Sequence, residues 1–176
     1  MAVLFNATVT QGLLVTPDNS GQIQFQLNGV NVPSPTVAPC FSAYLSGAGQ
    51  SITTSVWTKI QFNAKDFDTN SNFDATTNYR FQPLVAGYYQ VNLSASNGNS
   101  GNTQWGITCI YKNNSQNKYG TNALGTGNGL TSATNALVYL NGTTDYIEGW
   151  MYVAVSTTIN SGANNTFFQA SLVRAA

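Results

Sequence analysis

The sequence predicts an all-β chain folded as a two-sheet sandwich or jelly roll. Three observations carry that expectation. Apolar residues recur at every second position, the period of a strand with one dry face. Clusters of Gly, Asn, Ser and Pro separate these runs at strand-like intervals. No stretch holds the 3.6-residue period of a helix. A length of 176 residues leaves room for one domain and a modest arm.

The first strand signal covers residues 22–27, with Ile23, Phe25 and Leu27 on one face and Gln22, Gln24 and Gln26 on the other. Pro33, Pro35 and Pro39 follow. Proline cannot donate to a ladder, so this stretch is expected to be a stiff, extended connector. The chain thus divides into a β arm over 1–32, a connector over 33–40 and a sandwich over 41–176. Phe41, Ala43 and Leu45 open the sandwich, and 52–62 forms its next strand. Residues 88–95 set Tyr89, Val91, Leu93 and Ala95 against Tyr88, Gln90, Asn92 and Ser94. Residues 104–112 place Trp105, Ile107, Cys109 and Tyr111 on one face, expected to be the dry one, with Ile110 opposite and partial burial expected there too. Strands at 136–140, 146–155 and 166–173 complete the series. In the second of these Ile147, Gly149, Met151 and Val153 form one face and Tyr146, Trp150 and Tyr152 the other. A strand apolar on both faces must bury both, one of them against another layer or another chain. Asn141-Gly142 marks a hairpin turn, and 120–129 reads as a long surface loop.

Charged residues make up 7% of the chain, against about 25% in an ordinary soluble domain, and six basic residues cancel six acidic ones. No field exists to recruit nucleic acid or an anionic membrane surface. Histidine is absent, which removes the commonest general base and metal ligand. An enzyme is therefore not expected. No window approaches the 18 apolar residues of a membrane span, and residues 1–6 lack the basic start of a signal peptide. Cys40 and Cys109 have no metal-site spacing, and Cys109 is expected to be a small buried hydrophobe.

From Phe41 onward the motifs resemble the C1q/TNF-like trimeric jelly roll. Phe41-Ser42-Ala43-Tyr44-Leu45 matches its first strand. Phe81-Gln82-Pro83 with Gly87, Tyr89 and Val91 reproduces its central Phe-x-Pro-x-x-x-Gly-x-Tyr-x-Val motif with every anchor present. Tyr111-Lys112-Asn113, Asp145-Tyr146-Ile147 and 166–172 are similar to its later strands. The resemblance implies a homotrimer, with Tyr146, Trp150, Tyr152 and Tyr89 as candidates for the subunit interface. The arm, from Gly12 to Gly21 and on to Asn28-Gly29-Val30, resembles the N-terminal element of tailed-bacteriophage fibre and head-decoration proteins. That resemblance implies docking through Leu13, Val15, Ile23, Phe25 and Leu27 to a major capsid protein or another virion protein. The expected setting is the outer surface of a virion, after synthesis in the host cytoplasm. The expected role is a capsid decoration or head-fibre protein; a tail-fibre tip and a soluble carbohydrate-binding module are the alternatives.

Asp66, Asp68 and Asp74, with Asn70 and Asn72 between them, invite a calcium reading. The EF-hand pattern wants Gly at the sixth position and Glu at the twelfth, where Ser71 and Thr77 stand. Asx turns in a polar loop are the expectation, and no cofactor is assigned beyond that calcium alternative. Asp145 and Glu148 are expected to be solvated or paired with Lys or Arg. Trp57 and Trp105 are expected in the core, with stacking on a sugar ring, as from a host-surface glycan, as the alternative.

Overall fold

A computed structural model describes residues 25–27, 30–32, 38–98, 103–126 and 129–176, and among them every regular element is a strand. β1 (Phe25–Leu27) and β2 (Val30–Val32) form an antiparallel hairpin with Phe25 opposite Val32. Then come β3 (Cys40–Tyr44), β4 (Gln50–Ile52), β5 (Thr58–Lys59), β6 (Ala64–Asp68), β7 (Phe73–Asp74) and β8 (Arg80–Phe81). Next are β9 (Gly87–Asn97), β10 (Thr103–Lys112), β11 (Ser115–Tyr119), β12 (Ala123–Thr126) and β13 (Leu130–Leu140). β14 (Ile147–Val153), β15 (Thr157–Ile159) and β16 (Phe167–Ala175) complete the chain. Leu13, Val15, Ile23 and the prolines at 33 and 35 lie outside the described residues.

The sandwich strands make two antiparallel sheets. In the first, β9 has β13 along its whole length on one side and β16 and β15 on the other; β3 and β6 extend the sheet past β16, and β4 pairs with β15. The second runs β11-β10-β14-β8-β7, with β12 also on β10 and β5 on β14.

Alternation along the central strands builds the core. Tyr89, Val91, Leu93 and Ala95 of β9 point inward and meet Ile147, Met151 and Val153 of β14. Phenylalanines fill the middle: Phe41 stacks on Phe73 and Phe81 at centroid separations of 4.7 and 4.5 Å, and Phe62 stacks on Phe168 at 5.5 Å. Each ring taken from water contributes about 1.5–3 kcal/mol. Gly149 has no room for a side chain, because a Cβ there would lie 2.8 Å from both Leu93 and Phe62.

Polar side chains close the sandwich along the β10 and β13 side. Thr108 Oγ1 lies 3.0 Å from Ser132 Oγ and 2.8 Å from Thr134 Oγ1, and the Thr108 N–H donates to Ser132 Oγ at 2.9 Å. All three residues are buried, and each hydroxyl has a partner, which removes the desolvation penalty.

Several strand expectations shift for physical reasons. The predicted strand over 52–62 is interrupted: β4 stops at Ile52 and β5 is short. Ile60 and Phe62 are fully buried nonetheless, and the Gln50 amide brackets that stretch by donating to Lys59 O and accepting from the Gln61 N–H, both at 2.8 Å. β13 begins at Leu130, six residues before the predicted start, because its inward positions there are Ser132 and Thr134 and show no apolar alternation. The predicted loop over 120–129 contains β12. Cys109 is buried as expected, and neither cysteine is bridged.

The main correction concerns β10. Ile110 and Gly106 face the core, so Trp105, Ile107, Cys109 and Tyr111 occupy the outer face. Aromatic content suggested the opposite assignment. Gly106, Thr108 and Ile110 form a small, weakly apolar inner face that a period-two reading undervalues.

Candidate functional site

The outer face of the second sheet carries the densest set of chemically useful side chains. Register explains why they converge. Cys109 sits opposite Trp150, Ile107 opposite Tyr152 and Tyr111 opposite Glu148 across β10 and β14. Lys59 of β5 pairs with Trp150 from the other side, and Tyr119 of β11 pairs with Cys109. All three tryptophans of the chain therefore stand on one face of one sheet.

They form a continuous run of rings. Trp105 stacks on Tyr152 at 5.2 Å; Tyr152 meets Trp57 at 5.6 Å and 52°; Trp57 meets Tyr111 at 6.0 Å and 59°; Tyr111 stacks on Trp150 at 4.4 Å and 17°. Tyr119 branches from Trp57 at 5.8 Å. Trp105 is 41% exposed and Tyr119 56%, so the expected core role of Trp105 is replaced by a place on the surface. Trp57, Trp150 and Tyr152 are half-buried.

Polar groups are fixed along this run. Glu148 is buried; its Oε1 pairs with Lys59 Nζ at 3.0 Å, and its Oε2 accepts from Trp150 Nε1 at 3.0 Å. Two donors compensate a carboxylate that would otherwise be costly to bury. The Gln116 amide donates to Tyr111 Oη at 3.1 Å and accepts from the Tyr119 hydroxyl. Burial pushes the Tyr111 phenol and the Cys109 thiol up from their ordinary values.

The other residues singled out from the sequence fall elsewhere. Tyr89 is fully buried, and its hydroxyl donates to Val85 O at 2.7 Å, which leaves it no surface to offer another chain. Tyr146 lies under the Arg80 guanidinium, 4.3 Å from the ring centroid. Phe25 and Leu27 belong to β1. Asp145 pairs with Lys112 at 2.8 Å and takes N–H groups from Asn113 and Asn141; burial opposes its ionisation, but these donors win and hold it below the usual carboxylate range.

The three aspartates of the calcium reading are not brought together. Asp66 accepts from Ser42 Oγ at 2.8 Å, while Asp68 takes Lys65 and the Asn72 and Phe73 N–H groups at 3.0 Å each, at the corner where the chain leaves β6. Asp74 receives the N–H groups of Thr77, Thr76 and Asn78, which hold its carboxyl well below the ordinary range. Among the described residues no group of three acidic, cysteine or histidine side chains forms a metal cluster.

The first sheet carries a second, smaller apolar feature. Tyr88 and Tyr139 are cross-strand partners with rings 5.5 Å apart, and Leu137 and Val173 are exposed near them. In the same sheet the Gln90 amide donates to Asn92 Oδ1 at 3.4 Å and the Gln169 amide to Ser42 Oγ at 3.0 Å.

No protein-family model and no curated protein matches the sequence. Solved structures do. The globular domain of zebrafish complement 1qA aligns with a TM-score of 0.58 and 15% identity, over 78% of this chain and 99% of its own. Murine APRIL aligns at 0.55 and 8%, over 77% and 99%. The Eiger TNF of S. frugiperda aligns at 0.58 and 8%, over 79% and 94%.

The fold is a C1q/TNF-like jelly roll. Identities this low carry the fold alone, so the roles of faces and residues rest on their own chemistry. Within this jelly roll the central motif gains a physical meaning. Phe81 packs edge-on against Tyr89 at 5.6 Å, and the Tyr89 hydroxyl closes the loop over 82–86 by reaching back to Val85.

Proposed function

We propose that this chain is a non-catalytic, homotrimeric display head on the virion of a tailed bacteriophage. It serves as a capsid decoration or head-fibre protein docked to the major capsid protein through its N-terminal arm. The observation that carries the trimer is the exposed cluster of Tyr88, Leu137 and Tyr139 on the first sheet, with Val173 beside it. An apolar cluster on an otherwise polar sheet face is what a second copy covers. The C1q/TNF-like fold supports the same assembly. A non-catalytic role is supported by the absence of histidine and by carboxylates already committed to ion pairs and backbone N–H groups. The arm's resemblance to phage head proteins supports the virion setting, and the β1-β2 hairpin gives that arm a strand ladder of its own.

One experiment tests both parts. Purified full-length chain and a form lacking residues 1–32 should both scatter light as trimers, the full-length chain at three times 18.8 kDa and the shortened form at three times its own smaller mass. Only the full-length chain should decorate particles stripped of this protein. Leu137→Glu should shift the mass to a monomer while the fold, read by circular dichroism, persists. A wild-type monomer would remove the trimer; undiminished decoration by the truncated form would remove the docking role of the arm.

A further inference from the structure

We propose that the aromatic run on the outer face of β10, β14 and β11 is a binding site for a neutral oligosaccharide. The inference deepens the display reading above, since this face lies on the sheet opposite the proposed trimer contact.

The ligand's class follows from geometry and charge. Five rings in line with Tyr119 branching from Trp57, at centroid steps of 4.4–6.0 Å, suit a chain that offers a flat C–H face at each repeat. Pyranose units have such faces, with hydroxyls at the rim. A group to meet those hydroxyls is fixed beside the rings: the exposed Gln116 amide, held by Tyr111 and Tyr119, which keeps a second N–H and a second lone pair free. Because its partners already order it, little side-chain entropy remains to be lost on binding.

The exposed Leu124, cross-strand partner of Trp105, adjoins the run, so a protein that covers this face is the outcome that the test must separate from a sugar. Charge disfavours the other ring-bearing polymers. Nucleic acid and anionic glycans need several unpaired cations; Lys59 beside the rings is engaged by Glu148, which leaves the single charge of Lys118 on β11.

The test uses the full-length protein on an array of neutral oligosaccharides built from hexoses, N-acetylhexosamines and deoxyhexoses, with the strongest array ligand then titrated by calorimetry. Binding is expected. Trp105→Ala and Tyr119→Ala, both at exposed positions, should each weaken it about tenfold without moving the melting temperature. Leu84→Ala, exposed and remote from the run, should leave it unchanged. The proposal is overturned by an array without signal, by binding that both variants leave intact, or by Trp105→Ala converting trimers to monomers, which would make the face a subunit contact. Sugar binding without particle decoration would keep this site and overturn the virion reading, so the two fail separately.

Discussion

Tyr89 shows what a motif does and does not reveal about a single residue. Its place in Phe-x-Pro-x-x-x-Gly-x-Tyr was legible, and its alternation with Val91 and Leu93 already put it on the dry face. Its nomination for a subunit contact came with the family resemblance, and full burial overrules that. The hydroxyl is the informative atom. Tyr89→Phe keeps the ring packed against Phe81 but removes the donor to Val85 O. A loss of about 1 kcal/mol in denaturant unfolding is expected, since loop water can replace part of the bond. No loss at all would mean that the hydroxyl does not hold the loop. The aspartates teach the same lesson. Their spacing was visible in the sequence, but whether a carboxylate meets a metal or a backbone N–H depends on where the chain turns, and β6 turns at Asp68.

At the scale of elements, long strands with apolar alternation were legible and quiet ones were not. β11 is exposed at every position and left no periodic signal. β13 hid half its length behind inward hydroxyls. β10 was found but turned inside out, and with it the candidate site. Trp57, Trp105 and Tyr111 looked like core because burial usually follows aromatic content, whereas Trp150 and Tyr152 were already placed on the outward face. A turn does fall at Asn141-Gly142, but the hairpin expected there does not form: the turn carries the chain from β13 in one sheet to β14 in the other, strands that do not pair. Gly142 adopts φ +71°, and a Cβ there would sit 2.4 Å from the Ala86 nitrogen. Left-handed strain and a backbone clash combine, so Gly142→Ala should cost at least about 2 kcal/mol, read as a lower urea midpoint with unchanged slope. A change under about 0.5 kcal/mol, typical of a surface site, would show that the turn does not pack on the 82–86 loop.

For the whole molecule, the scarcity of charge first excluded partners and then fixes the response to pH. Asp74 and Asp145 are held below the ordinary carboxylate value of about 3.9, so the stability they contribute is present above about pH 4 and is lost as pH falls further. Burial raises Cys109, Tyr89 and Tyr111, and the neutral forms they favour keep the fold stable until pH rises past about 8.5 for the thiol and about 10 for the phenols. With no imidazole in between, the melting temperature should stay flat from about pH 5 to 8 and fall on both sides. A step near pH 6–7 would contradict that assignment. The confinement of all three tryptophans to one outer face has an optical corollary. The indole emission of this protein comes from its surface, so a collisional quencher such as acrylamide should reach it in the native state. The phenylalanine-filled interior stays dark to that signal, so a fluorescence melt reports the environment of one sheet's outer face.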